Sequence, residues 1–272
     1  MAASLRGASR ASLVKLREQL DRIVGDADAA TVGDELFSVV DLLDGQPALR
    51  RALTDPARSG ADRLSLAVGL LLEKMSTEAT GITGLAVSLS WARTRDLSDS
   101  LETAAVLVAV TDADRRGQLD AVEDQLFAFG AAIEESPSLA SALSDPAAPS
   151  DAKVGLVGDL LAGADPASIS LAKRAVSAPR AGTLSETVGD FARIAADLRR
   201  RLVATVRTAV ALDDVQRDRL RSALGRQYGR EIHLNVVIEP EVVGGMSVTV
   251  GDDLIDGTLR TRVTEATRLL AG

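Results

Sequence analysis

The sequence predicts a mainly α chain: two tandem helical bundles followed by a small α+β domain of order β-α-β-β-β-α. Three observations carry this. Aromatic residues make up only 2% of the 272, so a core must be built from Leu, Val, Ile and Ala, and the Leu and Ala in that set lose little freedom in helices. One stretch of the chain repeats another without a gap. After Arg199–Arg201 the pattern changes to short β-branched runs.

The repeat sets the domain plan. Asp34–Leu71 lies over Asp124–Leu161 at a constant offset of 90 residues. Leu36–Phe37 meet Leu126–Phe127, Pro47 meets Pro137, and Asp55–Pro56–Ala57 meet Asp145–Pro146–Ala147. A match of this length points to tandem duplication. The expected domains are 1–110, an extra helical copy; 111–200, a second helical bundle; and 201–272, the α+β domain.

Each helix follows from periodicity. Leu13, Leu16, Leu20 and Ile23 mark a helix over Ser12–Val24. Leu36, Val39, Val40 and Leu43 form the next stripe, ended by Asp44–Gly45. In the second copy Leu119, Val122, Leu126, Phe129 and Ile133 repeat it. The segments TDPARSGADR and SDPAAPSDAK are turns, since proline fixes φ and Ser or Asp can cap the next helix. Leu184, Val188, Phe191, Ile194 and Leu198 give a helix over Leu184–Arg200. The boundary near 97–112 stays open, because Leu97–Val110 can serve either copy or both.

In the last domain Leu202–Leu212 reads as a strand and the segment after it as a helix. Glu231–Glu239 and Met246–Val250 read as two more strands, with LIDG and a final helix from about Thr258 to Leu270 after them. The glycines at 244, 245, 251 and 257 have no lysine among them, so a phosphate loop is not supported. A calcium loop counted from Asp252 would place apolar Leu254 and Val263 at ligand positions. Asp252, Asp253 and Asp256 could make an open magnesium site, which defines a hydrolase alternative. The structural reading fits better: Gly251–Asp252–Asp253 is a hairpin turn, Asp256–Gly257–Thr258 caps the last helix, and Gly244–Gly245 takes unusual backbone angles. His233 alternates with Ile232 and Leu234 and falls on the wetter strand face, and Trp91 reads as a helix-packing residue.

Composition excludes several classes. A net charge of -8 and a sequence pI near 4.9 argue against nucleic acid, whose phosphates demand a basic surface. The lack of cysteine removes disulfides and thiolate metal sites. No secretory signal is visible, and the apolar runs Ala104–Val110 and Leu66–Leu72 are far short of a membrane span. The expectation is a cytosolic protein with no direct membrane insertion.

A resemblance enters at Tyr228–Gly229–Arg230 and the adjoining HLNVVIEPEVVGGMSVTVGDDLIDGTL. This resembles the C-terminal signature of the F-type ATP synthase delta subunit, or oligomycin-sensitivity-conferring protein, family. The matching positions are Tyr228, Gly229, Pro240, Gly244, Gly245, Gly251, Asp252, Asp256 and Gly257; Glu239 and Thr258 stand where the family pattern has Asp and Ser. The likeness extends back over roughly the last 155 residues. The extra first copy is similar to actinobacterial versions. The resemblance implies a non-catalytic stator subunit without cofactor or metal, peripheral on the cytoplasmic face of the cell membrane. It implies contact with alpha subunits through 111–200 and with the b subunit through 201–272. The alternatives are a helical adaptor of another complex and the hydrolase described above.

Overall fold

A computed structural model describes residues 5–71, 74–178, 182–201, 203–228, 232–239, 242, 245–251 and 253–256. The chain forms two compact units, Met1–Ala195 and Ala196–Gly272. Twelve helices and four strands occur among the described residues. The helices are α1 (Ala8–Val24), α2 (Ala29–Gly45), α3 (Pro47–Thr54), α4 (Gly60–Leu71), α5 (Thr77–Ser88), α6 (Thr94–Arg115), α7 (Leu119–Glu135), α8 (Pro137–Ser144), α9 (Ser150–Leu160), α10 (Pro166–Ser177), α11 (Leu184–Arg201) and α12 (Asp214–Tyr228).

The repeat survives in the backbone. α7, α8 and α9 begin 90 residues after α2, α3 and α4, and α11 begins 90 after α6. α10 is one residue out of step with α5. The same offset lays α6 over α1 as well as under α11, so one helix closes the first bundle and opens the second. Accordingly α6 packs against α1, α2, α3 and α5, and also against α7 and α10. Its side chains are buried on every side: Leu97, Leu101, Ala104, Ala105, Val106, Val108, Val110 and Ala113. A helix apolar all round has core on all faces.

Polar pins fix the same joints in both copies. In the first, the Glu35 carboxylate accepts from the Ser76 N–H at 3.0 Å and from its hydroxyl at 2.5 Å. Ninety residues on, Gln125 Oε1 accepts from the Asp165 N–H at 3.0 Å. Ser76 and Asp165 then cap α5 and α10 through the Ala79 and Ala167 N–H groups. The α5–α6 turn is tied to α1 by Ser9, whose hydroxyl donates to Asp96 and accepts from the Ala92 N–H. This network ties down the first turn of α1, which begins at Ala8, four residues before the expected Ser12. Gly60 meets Ser88 so closely that an added Cβ would lie 2.6 Å from its carbonyl oxygen.

The second unit carries a four-stranded sheet of order β2-β1-β3-β4, with β1 (Val203–Thr208), β2 (His233–Ile238), β3 (Met246–Val250) and β4 (Asp253–Asp256). β1 and β2 run parallel, joined through α12; β3 is antiparallel to both β1 and β4. Ala204, Val206, Val248 and Val250 share one face with Leu234, Val236 and Met246, and pack with Leu220, Leu224 and Tyr228 of α12. β1 ends at Thr208, short of the expected Leu212. The Thr208 hydroxyl donates to the Val210 carbonyl and turns the chain. Asp213 then caps α12 in a reciprocal pair with Gln216. The expected final helix lies outside the described residues.

Candidate functional site

The terminal signature is an arrangement of backbone. Val250 pairs with Asp253, leaving a two-residue hairpin loop whose first position, Gly251, has φ 58°. The tight turns that match strand twist require this conformation. Gly245 precedes β3 at φ 115°. The Tyr228 hydroxyl donates to Asp253 Oδ2 at 3.3 Å, and burial, followed by the Asp253 charge, pushes the phenol above its ordinary pKa. Asp256 ends β4 opposite Ser247. Gly229, Pro240, Gly244, Asp252 and Gly257 lie outside the described residues, as does Thr258 of the expected cap.

The hydrolase alternative meets a geometric obstacle. Positions 253 and 256 lie three apart on one strand and therefore on opposite faces of the sheet. No group of three His, Cys, Asp or Glu able to hold a metal occurs among the described residues. His233 opens β2 opposite Val203. Trp91 lies in the α5–α6 connection, where its indole N–H donates to the Ala86 carbonyl at 2.8 Å and caps α5. It packs against the end of that helix. Arg199 is exposed near the end of α11.

The helical unit offers grooves. One, of about 420 Å³, runs between α1 and α5, with Ile23, Leu85 and Leu89 on its floor and Lys15, Glu18 and Gln19 on its rim. The duplication places a second such groove between α6 and α10, but there α2 fills it. Ala105, Val108 and Ala109 of α6 stand where α1 has Lys15, Glu18 and Gln19, and α2 comes so near that a Cβ on Gly33 would lie 3.7 Å from the Ala105 carbonyl oxygen. Arg174 of α10 forks onto Asp41 of α2 at 2.6 and 2.7 Å and lies 4.7 Å over the ring of Phe37. Beside this contact a cleft of about 620 Å³ remains, walled by Asp34, Phe37 and Asp41 on one side and Val154, Lys173 and Arg174 on the other. Desolvation, reinforced by the Asp28 charge, holds the Asp34 carboxyl above its ordinary pKa.

Sequence reasoning did not find that one groove is shut and its counterpart open. The signal was present in the run of small side chains in Ala104–Val110, set against the charged and amide residues of α1.

An open helix groove in one unit, and in the other a small sheet with a hairpin turn at Gly251, fit a helical docking protein. Comparison with known proteins gives the class its family. The model for the ATP synthase delta (OSCP) subunit matches residues 103–270. The ATP synthase subunit delta of Thermobifida fusca is 42% identical over 269 residues, covering 98% of this chain and 100% of its own. Those of Kineococcus radiotolerans and Streptomyces griseus are 43% and 42% identical, each over 98% of this chain, and are themselves covered to 98% and 100%. The chain belongs to the ATP synthase delta (OSCP) subunit family, whose members are non-catalytic parts of the peripheral stalk. The family model begins inside α6, whereas the relatives align through the first copy too, so they share the duplicated form.

Proposed function

We propose that this chain is the stator subunit that ties the catalytic head of an F-type ATP synthase to its b-subunit stalk, preventing the head from turning with the rotor. The near-complete alignment with subunits of that name carries the reading. In this reading residues 111–200 meet alpha subunits of the head, residues 201–272 meet the b subunit, and residues 1–110 add stator contacts. The open α1–α5 groove suits an amphipathic helix from the head, since its apolar floor is rimmed by charge. A joint that holds under torque calls for nanomolar binding, on the order of 12 kcal/mol. No helix among the described residues is long and apolar enough to cross a membrane. In this reading the chain acts at the cytoplasmic membrane face, peripheral and reached through its partners.

Gentle purification of the tagged chain from its own membranes tests this. Stoichiometric alpha, beta and b subunits are expected; their absence, with another complex in their place, would make the chain an adaptor elsewhere. The first copy is tested by deleting residues 1–92, which spares α6 for the second bundle. Weaker retention of the head is expected, and unchanged retention would remove the first copy from the stator contacts.

A further inference from the structure

Three of the four phenylalanines are buried: Phe37, Phe129 and Phe191. Phe127 on α7 is 71% exposed, although its counterpart Phe37 on α2 is 5% exposed. The difference lies in what covers them. Phe37 is roofed by Arg174, a side chain of the following copy, held over the ring by Asp41. The contact is therefore head to tail: the α2 face of one copy sits on the fifth helix of the next. Among the described residues the next unit carries a sheet instead of a further copy, and on the matching face of α7 Asp124, Phe127 and Ala128 are exposed and Ala131 is half-buried. Heterologous contacts of this kind leave a free surface at each end unless they close into a ring.

We infer that this α7 face docks a basic amphipathic helix of another protein, with an arginine over the Phe127 ring as Arg174 lies over Phe37. Charge supports the choice of partner. α7 carries Asp120, Glu123, Asp124, Glu134 and Glu135 and no lysine or arginine, so its surface attracts cations. Side-chain size supports it too. Ala128 and Ala131 replace Ser38 and Asp41, which lowers the walls around the ring and lets a partner backbone come closer. A desolvated arginine on an aromatic face, surrounded by small apolar contacts, is the make-up of an interface hot spot. The α1–α5 groove is lined by other residues.

The test uses the full chain in its own membranes. Phe127 is replaced by a photoreactive phenylalanine analogue, the membranes are irradiated, and the adduct is mapped to a peptide. An adduct on a helix-forming segment of another subunit, with arginine or lysine on its apolar edge, is expected. A synthetic peptide of that sequence should bind the full chain roughly tenfold more weakly after Phe127→Ala, with the weakening partly kept in Phe127→Leu, which restores area but no ring. No adduct, an adduct within residues 196–272 of the same chain, an adduct with a second copy, or one on a segment without a cation would each overturn the inference. The stator reading fails separately, if the chain does not travel with synthase subunits; the adduct's sequence still decides the inference in that case.

Discussion

The two helical copies have the same helix plan, yet the first rests on the second while the second rests on no further copy. Where α1 faces a groove it carries Lys15, Glu18 and Gln19; where α6 faces the matching groove it carries Ala105, Val108 and Ala109. A single helix thus serves two bundles by giving up its polar face. Duplication fixed the backbone, while a few side chains decided which surfaces became core and which stayed available to partners.

The most demanding check of that contrast is the phenylalanine pair. Phe37→Ala should cost about 3 kcal/mol, since it empties a buried site and strands Arg174 over a void. Phe127→Ala should change stability by less than about 0.5 kcal/mol, because an exposed ring leaves no cavity. Urea unfolding of both variants measures this. Equal losses would mean that the α7 face is covered within the chain, and the asymmetry would collapse.

The groove residues give the next largest effect. Ala105→Leu inserts volume where α2 lies against α6 and should cost about 2 kcal/mol by overpacking. Lys15→Leu, at the matching position of α1, should be neutral within about 0.5 kcal/mol because that side chain is exposed. Thermal melts of the pair distinguish a filled groove from an open one.

Much of this plan was legible in the residues, for reasons that can be named. The duplication was visible because turns resist change: Asp-Pro-Ala at 55 and 145 and Pro47 with Pro137 hold backbone geometry that few substitutes permit. The hairpin at Gly251 and the succession of strands along the chain were readable because alternation and glycine position encode them locally, whereas the order of strands within the sheet was not. The end of β1 was not, since apolar Val210 and Leu212 look like strand while a hydroxyl turn at Thr208 and the Asp213 cap decide otherwise. The shared role of α6 was only half legible. An all-apolar run announces burial but not how many neighbours supply it. The Arg174–Asp41 fork joins residues 133 apart, and no local pattern encodes such a pair. In the terminal segment, the glycines pointed to turns from the outset, and strand period sets positions 253 and 256 on opposite faces.

The caps of α5 and α10 allow a chemical comparison. Asp165 accepts a forked pair from Arg116 at 2.6 and 3.0 Å, and this hydrogen bonding holds its carboxyl below the ordinary aspartate pKa. A depressed folded pKa means that the stabilisation is complete above about 3.9, the unfolded value, and is lost as pH falls through the folded one. Asparagine caps as well as aspartate but carries no charge, and Arg116 is partly exposed. Asp165→Asn should therefore cost about 1 kcal/mol at pH 7. That deficit should hold down to about pH 5 and shrink below about pH 4 as the wild-type carboxyl protonates. Denaturation at pH 7, 5 and 3.5 follows it, and a deficit that grows toward acid would contradict the assignment.

The smallest effect asks whether the copies are equivalent at turns that share one backbone geometry. Asp55 and Asp145 end α3 and α8 with φ −62° in both and ψ of 116° and 115°. Each precedes a proline, which keeps it out of the helical region, and each accepts from the N–H two residues on, at 2.9 and 2.8 Å. Among the local differences, Arg63 donates to the Asp55 carbonyl at 3.0 Å where the second copy has Lys153, and Arg58 lies 3.9 Å from the Asp55 carboxylate where it has Ala148. An exposed pair at that distance adds at most a few tenths of a kcal/mol. Asp55→Ala and Asp145→Ala should each cost about 0.7 kcal/mol, agree within about 0.3, and add in the double variant, since the two turns share no partner. A clear inequality in unfolding free energy would show that the head-to-tail contact reaches the turns as well as the α2 face, and that the two copies do not hold their shared backbone independently.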